Sequence, residues 1–242
     1  MRSGGAAEDF GARRRLFYRL WMIRAPALSV LMFLLVAGCT EPAPPANPEV
    51  NASAPTAELP KARKAAPLPD VVRVRLETEA GPILLALHAK RAPVTAANFL
   101  RYAEEGRLDG TTFYRAAPTK GELGRGFIQG GIRRSYKRML PPIEHEPTSE
   151  TGLKHEAGTI SMARATEGAG AMGNFFITLN RMPAMDAGEG KPGYAAFGKV
   201  VEGMDAVRSI LAAPTAAGAG RGAMRGQMLK EPVKIRSARR ET

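Results

Sequence analysis

The chain has 242 residues, of which 44% are hydrophobic and 24% charged, and its formal net charge at pH 7 is +12. Its single cysteine, Cys39, excludes an intramolecular disulfide. The basic residues are scattered, with no arginine-rich stripe interleaved with aromatic residues, so the charge indicates a solvated surface and we predict no nucleic-acid partner.

The N-terminal segment predicts an export signal. Residues 25–37 form an apolar run of 13 residues preceded by arginines, which is too short for a membrane-spanning helix and typical of a signal-peptide core. The run ends in the quartet VAGC at residues 36–39, which resembles the lipobox of bacterial lipoproteins. We predict a signal peptide over residues 1–38, cleaved before Cys39, and a lipid on Cys39; the alternative is a buried free cysteine.

A proline-rich segment follows the cysteine. Residues 40–70 contain eight prolines, much alanine and almost no large apolar residue. Such a composition cannot bury enough surface to offset the entropy cost of ordering the chain, so we predict a disordered, semi-extended tether over residues 39–70. The folded domain is predicted over residues 71–242, a length that supports one hydrophobic core.

The folded domain is predicted to begin with a β-hairpin and a helix. Apolar and charged residues alternate after Val71, a turn signal lies at residues 79–82, and a second strand follows. The positions predicted to face one side of these strands are Val72, Val74, Leu76, Ile83, Leu85 and Leu87. A helix is predicted from Pro93 to about Gly106, with an apolar stripe along one face.

Short strands and glycine-rich or proline-rich loops fill most of the remaining chain. Strands are predicted near residues 112–116, 126–130, 158–163, 174–179 and 195–201, and a second helix over residues 203–212. Residues 213–230 are predicted to form a loop, and Val233–Ser237 a last strand that a charged tail follows. About eight short strands and two helices favour a mainly β fold: a closed eight-stranded antiparallel barrel capped by two α-helices.

One arginine lies within the third predicted strand. Arg115 is the only charged residue in Thr112–Pro118, a segment that otherwise has the character of a core strand. A cation in such surroundings requires a partner. Arg115 is therefore either tied to a carboxylate of the barrel or kept free for a substrate, and we expect the second.

Five motifs occur in a fixed order along the folded part. They are TTFYR at 111–115, FIQGG at 127–131, GTISMAR at 158–164, NFFITLN at 174–180 and GYAAFGKVVEGMD at 193–205. Together they resemble the cyclophilin-type peptidyl-prolyl isomerases, in the periplasmic or lipoprotein branch of that family. The resemblance covers about residues 71–237. It implies an eight-stranded antiparallel barrel with two capping helices, proline-containing peptides as substrates, no cofactor and no metal.

The reaction that this resemblance implies needs a fixed donor rather than a nucleophile. Rotation about an X–Pro bond is slow because amide resonance sets a barrier of about 18–20 kcal/mol. In the twisted state the prolyl nitrogen becomes pyramidal and gains a lone pair. A donor aimed at that nitrogen, beside an apolar pocket for the proline ring, stabilises that state. The resemblance assigns the donor to Arg115, whose guanidinium stays charged and carries several N–H groups in a rigid fork.

The resemblance also implies the residues that hold the peptide. They are Phe127, Gln129, Ala163, Arg164, Asn174, Phe176, Met185 and Tyr194. Three of them, Phe127, Phe176 and Met185, are implied to be apolar walls of the proline pocket. Gln129 is implied to brace the arginine, and the others to line the groove or its rim. An aromatic residue in a strand is otherwise ordinary core, which is the alternative for each aromatic.

Several positions depart from the pattern of the family. The connection from Arg115 to Phe127 has eleven residues, longer than is usual there. Gly126 and Ala184 replace large apolar residues, and Asn174 replaces a more common glutamine. We expect a shallower, more polar groove with an altered peptide preference, or weak catalysis.

The sequence therefore predicts a peptidyl-prolyl cis-trans isomerase that assists folding of exported proteins in the bacterial cell envelope. It would act as a monomer, anchored by lipid at Cys39 and facing the periplasm, on the outer membrane rather than the inner. The alternative from another class is a catalytically weak peptide-binding module. A metal-dependent hydrolase is a third possibility, because glutamates flank His145 and Glu156 follows His155, but neither pair has the HExxH spacing.

Overall fold

The computed structural model describes residues 68–133, 135–164 and 171–241. The predicted signal peptide, Cys39 and residues 39–67 of the predicted tether lie outside these ranges. The last residues of the predicted tether are attached to the domain, because Leu68 packs against the core and Asp70 pairs with Lys90 at 3.0 Å. Within the described residues, contacts with the domain therefore include Leu68 and Asp70, which precede Val71.

Eight antiparallel strands form a closed barrel, in the order β1-β2-β7-β5-β6-β4-β3-β8, which confirms the predicted fold class. The strands are β1 (Val72–Thr78), β2 (Gly81–Leu87), β3 (Thr112–Pro118), β4 (Gly126–Gly131), β5 (Thr159–Ala163), β6 (Asn174–Thr178), β7 (Ala196–Glu202) and β8 (Met228–Glu241). Closure pairs every strand on both sides, so the barrel has no free sheet edge.

Two longer helices and one short helix accompany the barrel. The helices are α1 (Pro93–Glu104), α2 (Thr148–Thr151) and α3 (Met204–Ala212). The first and third are the predicted ones, and they lie against different strands: α1 contacts β7 and β8, and α3 contacts β2, β3 and β4. The single turn of α2 has too few residues to show helical periodicity, which is why the sequence did not reveal it. Among the described residues, no helix is long and apolar enough to cross a membrane.

A distant carboxylate caps the first helix. The N-cap residue Ala92 has no side-chain acceptor, and Glu146 supplies one by accepting hydrogen bonds from the backbone N–H groups of Val94 and Thr95 at 3.1 and 2.8 Å. A negative charge at a helix N-terminus is favourable because several N–H groups there have no partner within the helix. Glu146, which the sequence placed in a possible metal cluster, therefore has a structural role.

The last strand is much longer than predicted. β8 begins inside the predicted loop 213–230 and continues through the predicted charged tail to Glu241. Its early half pairs with β3 and its late half with β1, which closes the barrel. Pro232 and the clustered charges concealed the strand, although Ile235 and Ala238 within it are fully buried.

Phenylalanines from four elements fill the barrel interior. Phe175 of β6 meets Phe99 and Phe113 edge-on, with ring centroids 5.3 and 5.6 Å apart, and Phe99 also contacts Phe197. Successive residues of a strand face opposite sides, so the next residue, Phe176, lies on the other side of the sheet from this cluster. The motif NFFITLN thus supplies one phenylalanine to the core and one, only 3% exposed, to the face of the sheet that carries the candidate site.

Candidate active site

Strand register brings the separate motifs into one row. Arg115 of β3 lies opposite Gln129 of β4, Gln129 lies opposite Phe176 of β6, and Phe176 lies opposite Ser161 of β5. Neighbouring strands are about 4.8 Å apart, so four residues taken from between positions 115 and 176 of the chain lie within a span of about 15 Å. This row is the centre of the candidate site.

Two glutamines hold the guanidinium of Arg115. Its Nη1 donates to Oε1 of Gln129 at 2.9 Å, while Nε and Nη2 both donate to Oε1 of Gln227, at 2.9 and 2.7 Å. Among the described residues no carboxylate lies within 4.0 Å of it, which disfavours the alternative of a barrel ion pair. Burial lowers the pKa of Arg115 from its ordinary value, but an arginine so far above neutrality stays charged. The result is a fixed, half-buried cation held by neutral partners.

Gln227 is a site residue that the sequence did not reveal. It lies one residue before β8, in the segment predicted to be a glycine-rich and alanine-rich loop, and 112 positions from Arg115. A register shift in the pairing of β3 with β8 places Arg115 opposite Met228, next to this glutamine. In the sequence, Gln227 is a single glutamine among small residues, and no motif or spacing links it to Arg115.

Aromatic and apolar residues surround a shallow surface beside Arg115. The ring of Phe127 lies under the guanidinium, with its centroid 4.8 Å from Cζ of Arg115, and 5.5 Å from the ring of Phe176. Tyr194 meets Phe176 edge-on at 5.3 Å. The Tyr194 backbone N–H donates to the carbonyl of Met185 at 2.9 Å, which places Met185 at the same rim. The structure thus brings Phe127 and Tyr194 against Phe176, with the backbone of Met185 bonded to that of Tyr194.

Gly126 cannot be replaced by the large apolar residue that the family resemblance implies at this position. Its φ is +133°, and an added Cβ would lie 2.2 Å from the carbonyl oxygen of Ala117. The contact with Phe176 comes instead from the next residue, Phe127. Ala184 is exposed in a short 3₁₀ turn, so that part of the rim is open. These two positions are consistent with the shallow groove that the sequence predicts.

Asn174 serves the loop after β4. Its Oδ1 accepts from the backbone N–H of Arg133 at 2.7 Å, and its Nδ2 donates to the Arg133 carbonyl at 3.2 Å. Arg133 has a φ of +55°, unusual for a residue other than glycine, and this clamp holds it there. Tyr114 lies beside Arg133, and its hydroxyl accepts from Gln129 at 2.9 Å. Burial raises the pKa of Tyr114 to about 12, so the hydroxyl stays protonated.

A buried chain of hydrogen bonds through His155 packs against the ring of Phe176. His155 bonds through Nδ1 to Asp186 at 2.7 Å and through Nε2 to the hydroxyl of Ser161 at 3.0 Å, and its ring stacks on Phe176 at 5.7 Å. Burial lowers the pKa of His155, against the raising effect of Asp186, so the pair is a hydrogen bond with a neutral imidazole. Ser161 is fully buried and cannot reach a substrate, so this arrangement is structural despite its likeness to a hydrolase triad.

The two remaining predicted residues lie at the end of β5. Ala163 pairs with Asn174, and Arg164 follows it with Cζ 5.2 Å from the ring centroid of Tyr194. Ala163 is therefore in the same strand row as the Asn174 clamp.

Among the described residues no group of three or more His, Cys, Asp or Glu side chains could hold a metal ion. The site thus offers Arg115 as a fixed cationic donor beside aromatic walls.

Comparisons with known proteins agree with this arrangement. Residues 73–240 match the family described as "Cyclophilin type peptidyl-prolyl cis-trans isomerase/CLD". The chain is 34% identical over 162 residues to "Peptidyl-prolyl cis-trans isomerase" of Acinetobacter baylyi, covering 67% of this chain and 81% of that protein. It is 40% identical over 137 residues to "Peptidyl-prolyl cis-trans isomerase A" of Dickeya dadantii, covering 57% and 70%.

Solved structures resemble the fold. A crystal structure of a Cryptosporidium parvum cyclophilin-type isomerase has a TM-score of 0.55 and 22% identity, covering 71% of this chain and 98% of that one. A second structure of that protein, determined in the presence of the dipeptide ala-pro, has a TM-score of 0.54 and 23% identity, covering 70% and 99%.

Proposed function

The chain belongs to the cyclophilin-type peptidyl-prolyl cis-trans isomerase family and is an isomerase, and from this premise we propose that it accelerates X–Pro isomerisation in exported proteins of the bacterial cell envelope. The observation that carries the proposal is the guanidinium of Arg115, held by Gln129 and Gln227 and left without a carboxylate among the described residues. A cation kept in this state is suited to a group that becomes electron-rich during a reaction.

Arg115 acts by donating to the prolyl nitrogen when the peptide bond is twisted. The planar amide offers no lone pair at that nitrogen, and the twisted amide does, so the interaction is stronger in the transition state than in the ground state. No covalent bond forms or breaks. Because both glutamines fix the fork before substrate arrives, little reorganisation is required during the reaction.

The energies indicate that the arginine needs help from its surroundings. A charge-assisted hydrogen bond contributes about 1.5–3 kcal/mol, whereas a thousandfold acceleration requires about 4 kcal/mol. Phe127 and Phe176 supply apolar surface beside the arginine, where the pyrrolidine ring would be shielded from water. The partial shielding also strengthens the interaction of the guanidinium with the nitrogen.

The proposed substrates are proline-containing segments of unfolded exported proteins. The dipeptide ala-pro present with the Cryptosporidium parvum relative supports proline-containing peptides as the ligand class. The apolar run at residues 25–37 and the VAGC quartet support export, cleavage before Cys39 and lipid attachment. We propose a monomer on the periplasmic face of the outer membrane, since Thr40 is not the aspartate that retains some lipoproteins on the inner membrane.

The envelope role is tested by expressing the full chain and a Cys39→Ser variant in a Gram-negative host. The wild-type chain should incorporate labelled palmitate and fractionate with outer membranes, and the variant should do neither. A wild-type chain without label, or one recovered in the cytoplasm, would overturn the envelope assignment without affecting the isomerase assignment. Peptide isomerisation by both proteins, measured by exchange NMR, should be equal because Cys39 lies outside the barrel domain.

A further inference from the structure

Two more arginines border the groove near Arg115. Arg133 follows β4, with Cζ 5.3 Å from the ring centroid of Tyr114, and Arg164 follows β5, with Cζ 5.2 Å from the ring centroid of Tyr194. Stacking on an aromatic ring restricts the guanidinium while leaving its in-plane N–H groups available. Both rim arginines are therefore positioned before any peptide binds.

The charges of the rim arginines are not neutralised by the described residues. Neither guanidinium has an ion pair or a hydrogen-bond acceptor there, whereas arginines elsewhere on the domain bond carboxylates, as Arg239 does with Asp109 at 2.7 Å. Glu144 shares a small cleft with Arg164 but lies beyond ion-pair distance. The carboxylate of Asp186 is hydrogen-bonded to His155. Within residues 68–133, 135–164 and 171–241, the groove therefore presents a concentration of positive charge.

Strand register places both rim arginines at one end of the groove. Asn174 is opposite Gly131 on one side and opposite Ala163 on the other, and the two arginines come shortly after these partners. The two hydrogen bonds between Asn174 and the backbone of Arg133 fix this end further. A peptide whose proline lies against Phe176 would meet the two charges on one side of the proline only.

From this arrangement we infer that the groove selects substrates with an acidic residue on one side of the proline, held by Arg133 and Arg164. The inference rests on the proposed isomerase function and adds a substrate class to it. A carboxylate would accept from either guanidinium, and two prepositioned cations lower the entropy cost of holding it. The Asn174 clamp that holds Arg133 at positive φ also fixes the backbone that carries this specificity-determining side chain.

The test measures kcat/KM for matched peptides that carry glutamate, glutamine or lysine two residues before or two residues after the proline. These positions are about 13 Å apart in an extended chain, more than the screening length of about 10 Å at 0.1 M salt. With the purified protein, glutamate should exceed glutamine about threefold to tenfold at one position only, and lysine should be poorest there. Raising the salt to 1 M should abolish the preference.

Variants locate the preference. In the double variant Arg133→Gln, Arg164→Gln, the kcat/KM of the glutamate peptide divided by that of the glutamine peptide should fall to about one. This holds even if the kcat/KM for both peptides changes. The matched control Arg208→Gln removes the same charge from the exposed face of α3 and should leave the ratio unchanged. Equal rates for glutamate and glutamine peptides with the wild-type protein, or a ratio that persists in the double variant, would overturn the inference. Acceleration of no peptide at all would instead reject the isomerase function.

Discussion

At the scale of single residues, the state of Arg115 is set by what surrounds it. A carboxylate partner would neutralise the guanidinium, whereas two amide oxygens orient it and leave its charge intact. Two of its three hydrogen bonds go to one oxygen, that of Gln227. We therefore treat Gln227 as a positioning residue that acts through Arg115 rather than on the substrate.

Replacing Gln227 with leucine should lower kcat about tenfold and change KM little. Arg115 would keep only its bond to Gln129 and would lose the orientation on which the transition-state contact depends. The measurement is steady-state isomerisation, with thermal melting to show that the fold persists. In Gln227→Glu the arginine would stay oriented but neutralised, so that variant should also be slow. A leucine variant with the kcat of the wild type would show that Gln227 has no part in positioning.

His155 predicts how stability depends on pH. Its pKa is lowered in the folded state, chiefly by burial, while the unfolded chain binds a proton at about pH 6.5. The unfolded state therefore binds more protons as the pH falls below about 6.5, and the free energy of unfolding decreases by up to about 1.4 kcal/mol per pH unit for this group. Stability should be highest above pH 7 and decline toward pH 5.

Urea unfolding between pH 5 and 8 checks this dependence. The variant His155→Gln should show a shallower decline below pH 6.5 than the wild-type protein. His88, whose pKa burial also lowers, contributes in the same direction, so part of the decline should remain in His155→Gln. If the free energy of unfolding of His155→Gln declined with falling pH as steeply as that of the wild type, His155 would bind protons equally in the folded and unfolded states.

At the scale of elements, the connection between β3 and β4 determines the shape of the pocket. The eleven residues from Ala116 to Gly126 bring β4 back onto β3 with Gly126 against the backbone of Ala117 and Pro118. Hydrogen bonds from the Gly126 backbone to Asn180, and from Leu179 to the Gly126 carbonyl, fix this corner to the end of β6. The corner holds Phe127 beneath Arg115.

Substituting Gly126 with alanine should destabilise the domain by about 3 kcal/mol or more. The new Cβ would collide with backbone atoms that cannot move without breaking the strand pair, and the φ of +133° is unfavourable for alanine. Gly124→Ala, with a φ of +70° and no atom within 4 Å of the added Cβ, should cost only about 1–2 kcal/mol. Urea midpoints compare the two. Equal urea midpoints for the two variants would mean that the backbone around Gly126 adjusts to the added Cβ without cost.

At the scale of the whole molecule, the sequence predicted what local periodicity can carry. The alternation of apolar and charged residues predicted β1, and the apolar stripe predicted α1. The order of the five motifs predicted the family and its barrel. Gln227 was missed because its partner is far away in the chain and a register shift brings them together. β8 was underestimated because Pro232 and surface charges interrupt its pattern, and the role of Asn174 depends on a backbone conformation that sequence periodicity does not encode.

The role of Arg115 is tested by measuring X–Pro isomerisation of a short Ala-Pro peptide by the wild-type protein, Arg115→Ala and Arg115→Lys. We expect acceleration by the wild type and a fall in kcat/KM of about ten- to a hundredfold in the alanine variant, as the loss of a charge-assisted hydrogen bond predicts. Lysine should rescue little, because it cannot span both glutamines. Wild-type activity in a folded Arg115→Ala variant would contradict the account, and a folded wild-type protein without activity would favour the peptide-binding module.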